Sequence, residues 1–124
     1  MTDKPKKKSS TSPTKRTMDL CRKQGLTVQV VERWNQFAKV RQDLFGFIDL
    51  VAMGNGSLMG IQSTSATNMA ARITKIKLEP RAKQWLDAGG RIIVHGWKQA
   101  KNKRWECRET ELFRADLEQT EASE

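Results

Sequence analysis

The chain has 124 residues, room for one domain and not for two. It carries 23 Lys and Arg against 14 Asp and Glu, a net charge of +9, which favours a polyanionic partner, most often nucleic acid, over a basic protein with no such partner. A single histidine, His95, and two separated cysteines, Cys21 and Cys107, exclude a His-rich catalytic zinc site and do not indicate a zinc finger or iron–sulfur cluster; there is no nucleotide-binding glycine motif and no apolar run of membrane-spanning length.

The charge is divided along the chain: residues 1–16 carry +5, residues 17–105 carry +9 and residues 106–124 carry −5. Residues 1–14 hold almost no apolar side chain and read as a disordered basic tail, 15–114 as a single folded domain, and 115–124 as an acidic flexible tail. The polar N-terminus shows no secretory leader, so a cytoplasmic location with reduced cysteines is expected.

Residues 15–23 predict a short helix, with Met18, Leu20 and Cys21 as its apolar positions and Gly25 as its stop. Residues 26–34 predict a strand, with Leu26, Val28 and Val30 alternating with Thr27 and Gln29. A polar loop is expected over 35–42. The apolar run LFGFIDLVAM (44–53) predicts a strand, Gly54-Asn55-Gly56 a hairpin turn, and 58–64 the return strand. Over 67–78, Met69, Ile73 and Ile76 have helical spacing, with Ser65 or Thr67 as N-cap; Pro80 opens a second helical stretch closed by Gly89-Gly90. Residues 91–97 and 105–113 predict two further strands around a Lys-rich turn, with a short helix as the alternative near the end of the second. The order α-β-β-β-α-(α)-β-β predicts an α/β fold with a mixed central sheet flanked by helices.

Within that frame Asp49 lies among Phe47, Ile48, Leu50 and Val51. Burying a carboxylate there is costly unless a metal ion or a cation compensates; the alternative is an Asp at a strand end, capping a neighbour or facing solvent. Gln62 and Thr64 project from one face of the next strand, which the hairpin sets alongside Asp49. A carboxylate beside oxygen-bearing side chains suits Mg²⁺ rather than zinc; the alternative is a plain polar strand face. Glu32, in step with Val28 and Val30, needs a partner, either this site or a salt bridge with an Arg such as Arg41. Arg72 and Lys75 share one helix face, as part of a site or as surface charges. Lys98, Lys101, Lys103 and Arg104 form a phosphate clamp or a solvated turn. Trp34 and Trp105 have basic neighbours and suit base stacking, whereas Trp85 and Trp97 read as fillers and His95 as a structural hydrogen-bonding residue.

These residues carry a family resemblance. DLFGFIDLVAM (43–53), GIQSTS (60–65) followed by NMAARITKI (68–76), and RIIVHGW (91–97) resemble the PD-(D/E)XK nuclease superfamily. Its plan is an acid on the first strand of a hairpin, E-x-K or Q-x-K on the second, then a helix and a strand. The stretch 25–76 looks like the small archaeal-type Holliday junction resolvases and the VRR-NUC-like nucleases of phages. The resemblance implies a restriction-endonuclease-like core and a metal-dependent endonuclease acting on DNA, at Holliday or other branched junctions, in a prokaryotic or phage-infected cell. It implies Mg²⁺ or Mn²⁺ held by Asp49, Gln62 in the place of the family's Glu, and the Ser63 carbonyl. A homodimer is implied as well, since a junction has two symmetric cuts.

The family's catalytic lysine falls at Thr64, which carries no charge. Some members move that cation to the following helix, where Lys75 takes the role ahead of Arg72. Glu32, rather than Asp19, takes the place of the additional acid. Arg41, Arg72, Lys98, Lys101, Lys103 and Arg104 are the residues expected against DNA. The missing lysine and the neutral Gln62 keep an alternative open, a catalytically inactive nuclease-fold protein that binds DNA. An RNA-associated basic protein rests on charge alone.

Overall fold

The Ser12 side chain accepts a hydrogen bond from the Lys15 amide at 3.1 Å, and Pro13 occupies the first helical turn. Helix α1 (Pro13–Lys23) therefore starts inside the expected tail. The computed structural model describes residues 12–122, so the rest of that tail and residues 123–124 lie outside the described residues.

Strand β1 (Thr27–Val30) ends earlier than expected. The amides of Val31 and Glu32 both donate to the Asp49 carbonyl, at 2.8 and 3.2 Å, a bulge that stops the ladder and turns Glu32 out of step with Val28 and Val30. The expected polar loop is a hairpin of its own, β2 (Arg33–Asn35) and β3 (Val40–Gln42), outside the main sheet. Turn chemistry makes it: the Asn35 side chain accepts from the amides of Phe37 and Ala38, both at 2.9 Å, and Lys39 has φ 59°.

The apolar run expected as one strand is also divided. Leu44 and Ile48 exchange backbone hydrogen bonds of 2.9 and 3.0 Å around a tight turn, with Phe45 and Gly46 at φ 55° and 83°. Strand β4 (Leu50–Gly54) begins only after Asp49. Asn55 and Gly56, at φ 53° and 76°, form the expected turn into β5 (Ser57–Ser65).

Ser65 caps a 3-10 turn (Ala66–Asn68) that leads into α2 (Met69–Lys77), and Pro80 opens α3 (Pro80–Asp87). Strand β6 (Arg91–Gln99) pairs parallel with β5, and β7 (Trp105–Leu112) antiparallel with β6. The result is an α/β fold whose five-stranded mixed sheet runs β1-β4-β5-β6-β7. The acidic end, expected to be flexible, instead forms α4 (Arg114–Ala122). Asp116 Oδ2 accepts from the Phe113 amide at 2.7 Å, and Leu117 is buried, which gives this segment a reason to dock.

Helices flank both faces of the sheet. Ile48, Met69, Ile76, Ala82, Ile92, Val94 and Leu117 form one core on the side of α2, α3 and α4. Cys21, Leu50, Ala52, Ile61 and Ile93 form the other, under α1. Burial on both faces accounts for the six consecutive buried residues, Ile92 to Trp97, of β6. The alternation of β5 sends Gly60, Gln62 and Thr64 to the α2–α3 face and Ile61 and Ser63 to the α1 face. Among the described residues no helix is long and apolar enough to cross a membrane.

Candidate metal centre

Asp49 ends up where β4 begins, directly across from Gln62 if the β4–β5 register is continued by one pair. It is 4% exposed. Its Oδ2 accepts from Gln62 Nε2 at 2.6 Å and from the Ser63 amide at 2.9 Å, and Gln62 Nε2 also lies 3.3 Å from Asp43 Oδ2. An extended residue turns its N–H and C=O to the same edge, so the Ser63 carbonyl faces the edge beside the chain just before β4 begins.

Three acids converge here. One carboxylate oxygen each from Glu32, Asp43 and Asp49 lies within 4.8 Å of the others. The bulge after β1 delivers Glu32, and the turn over Phe45 and Gly46 folds Asp43 back to Asp49. Desolvation by burial, with a hydrogen bond to Asp43 and the nearby Asp43 charge, pushes Asp49 up to about 8 against the Ser63 and Gln62 donors that stabilise its anion.

One polar atom is left over. Gln62 is 1% exposed and its Oε1 is buried without a hydrogen-bond partner. Rotating the amide by half a turn would put that oxygen where Nε2 now meets two carboxylates. Three carboxylates and a buried, uncommitted carbonyl oxygen fit a hard divalent cation. The cluster could hold a metal ion, and its chemistry is oxygen-only.

Behind β5 lies a second polar group. Thr17 Oγ1 sits 2.8 Å from Ser63 Oγ and 3.0 Å from His95 Nδ1, and accepts from Trp97 Nε1 at 3.0 Å. With His95 Nε2 3.4 Å from the Glu109 carboxylate, the proton belongs on Nε2. Thr17 then donates to Nδ1 and accepts from Ser63 and Trp97, and every member has a partner. His95 thus hydrogen-bonds within the core and is held neutral by burial, which lowers its pKa despite Glu109.

The expected cations are distributed around the acids. Arg41 lies 3.9 Å from Glu32 Oε1, and Thr14 Oγ1 donates to that same oxygen at 3.5 Å. Lys75 is exposed and lines, with Asp43, Arg41 and Arg81, a cleft of about 440 Å³; Arg72 is half-buried on the same helix. Thr64 is buried on the strand face of Gln62. Lys98, Lys101, Lys103 and Arg104 are exposed on the β6–β7 hairpin, at the end of the sheet to which β5 carries Thr64. Asp19 is remote from this chemistry, paired with Lys15 at 2.9 Å on the surface of α1. Asp43 was not singled out from sequence; the positive-φ glycine between two phenylalanines was its signal.

Compared with family models, with curated proteins and with solved structures, the chain matches none.

Proposed function

We propose that the chain is a metal-dependent endonuclease that hydrolyses DNA phosphodiester bonds, built on the restriction-endonuclease-like plan that its motifs resemble. The observation that carries this reading is the meeting of Glu32, Asp43 and Asp49 beside the unpartnered oxygen of Gln62. The element order, a helix, three antiparallel strands, a helical crossover and a parallel strand, agrees with that plan. The basic balance of the chain suits a phosphodiester substrate.

Glu32, Asp43, Asp49, Gln62 through Oε1, and the Ser63 carbonyl would hold Mg²⁺ or Mn²⁺. Such an ion supplies polarisation of a phosphoryl oxygen and an acidified water. The protein's own part is fourfold. Asp49, whose pKa burial raises to about 8, gives up its proton when the site is loaded. The Ser63 amide steadies the Asp49 carboxylate at 2.9 Å. Lys75, on the wall of the cleft shared with Asp43, brings the positive charge that Thr64 lacks to a bound phosphate. Arg41, Arg72, Lys98, Lys101, Lys103 and Arg104 hold the flanking phosphates, and a two-fold dimer would present two sites to a branched substrate.

The test is cleavage of a four-way junction, a flap and a linear duplex with Mg²⁺ or Mn²⁺, wild type against Asp49→Ala. Cleavage by the wild type and its loss in the variant are expected. No cleavage by either, with salt-sensitive binding intact in both, would replace this reading by the binding-only one. Equal cleavage by both would overturn it.

A further inference from the structure

The β2–β3 hairpin is inserted between two of the acids, with Glu32 just before it and Asp43 just after it. Phe37 at its tip is 97% exposed and Trp34 is 57% exposed, so both rings forgo the gain of burial. Phe45, 43% exposed, is held at φ 55°, a left-handed conformation that a bulky side chain adopts at a cost and glycine would adopt freely. These three rings line, together with Asp43, one cleft of about 680 Å³. Asp43 thus stands between an aromatic cleft on one side and the cationic cleft of Lys75 on the other.

The register sets Trp34 opposite Arg41, so their side chains share a hairpin face, and Arg41 reaches Glu32. The Phe45 ring is backed by Trp85 with centroids 6.3 Å apart. Trp105 offers less, because Arg16 already lies 3.4 Å over its ring.

We propose that Trp34, Phe37 and Phe45 stack unpaired bases, and that the substrate class at the acidic cluster is DNA with a single-stranded segment next to the bond that is cut. The choice of partner rests on the nuclease reading. A base inside a duplex has both faces covered by its neighbours; only an unpaired base offers a face to an aromatic ring. Arg33, Lys39 and Arg41 run along the same hairpin, which complements phosphates and disfavours a second copy of this basic chain, whose hairpin would bring like charges together.

Fluorescence anisotropy in EDTA tests this with one labelled oligonucleotide presented as a single strand, a blunt duplex and a duplex with a flap. The wild type should prefer the strand and the flap. Phe37→Ala and Trp34→Ala should each weaken binding to those two about tenfold. Duplex binding and the thermal midpoint should stay unchanged, and Trp34→Phe should restore most of the loss. The proposal is overturned if the variants bind the strand as the wild type does, or lose affinity for all three forms alike. It is also overturned if Phe37→Ala instead converts a sedimenting dimer to a monomer. The readout needs neither metal nor cleavage. Preference for the strand without cleavage leaves the platform standing and removes the nuclease reading; cleavage indifferent to Phe37 and Trp34 does the reverse.

Discussion

Asp43 and Asp49 bring carboxylate oxygens within 4.8 Å of one another, and desolvation, with a hydrogen bond to Asp43, raises the Asp49 pKa to about 8. An acid whose folded pKa lies above its unfolded value of roughly 3.9 binds more protons when folded throughout the interval between the two. Its contribution to stability therefore falls as pH rises from about 5 to 8. His95 acts in the opposite sense: burial lowers its pKa, so its contribution is lost as pH drops below roughly 6.5. The thermal midpoint of Asp49→Asn should gain on the wild type steadily from about pH 5 to pH 8. A difference that does not change with pH would mean that Asp49 is ionised throughout.

The same pair predicts the pH dependence of metal loading. Calorimetry with Mn²⁺ should show tighter binding at pH 8 than at pH 6, with proton release. Glu32→Gln, Asp43→Asn and Asp49→Asn should each weaken it about tenfold or more. Asp19→Asn is the control, since that carboxylate pairs with Lys15 on the surface. Equal affinities in all four variants would place the ion elsewhere.

Lys75 is expected to matter for rate rather than for folding. Lys75→Ala should slow single-turnover cleavage about a hundredfold, with the unfolding midpoint unchanged because the side chain is exposed. Arg72→Ala should cost less. A Lys75→Ala rate equal to wild type would assign the charge to another residue.

A structural prediction concerns Gly90. A Cβ there would collide with Cε2 and Nε1 of Trp85, whose ring is anchored by Nε1 donating to the Arg91 carbonyl at 2.9 Å. The ring cannot move without losing that bond. Gly90→Ala should therefore cost about 1–3 kcal/mol in urea unfolding, and an unchanged midpoint would mean that the ring has another resting place.

The sequence made the sheet and its crossover legible because their signals are local and strong. Asn55-Gly56 specifies its turn, Pro80 its helix start, and the run RIIVHGW the interior strand β6. Asp49 and Gln62 were within reach for the same reason, since they sit on the two arms of that hairpin. The strand breaks at Val31 and Leu44 were not, because a bulge and a tight turn made of apolar residues look like uninterrupted strand. The β2–β3 hairpin was missed because Asn35 caps its turn through a side chain, with no apolar alternation to announce it. In α4 the acidic composition hid one buried leucine, Leu117, and one carboxylate that closes the helix start, Asp116.

The two polar groups on either side of Ser63 differ in the length of chain they tie together. Asp49 and Gln62 are 13 positions apart, whereas Thr17 and His95 are 78 apart. Closing a longer loop costs more entropy before any contact rewards it. The amide–carboxylate pair is thus available as soon as the β4–β5 hairpin closes, while the Thr17 brace waits for α1 and β6 to arrive. A partly folded chain would hold Asp49 against Gln62 before Ser63 is tied down from behind, and the site would acquire its final rigidity last.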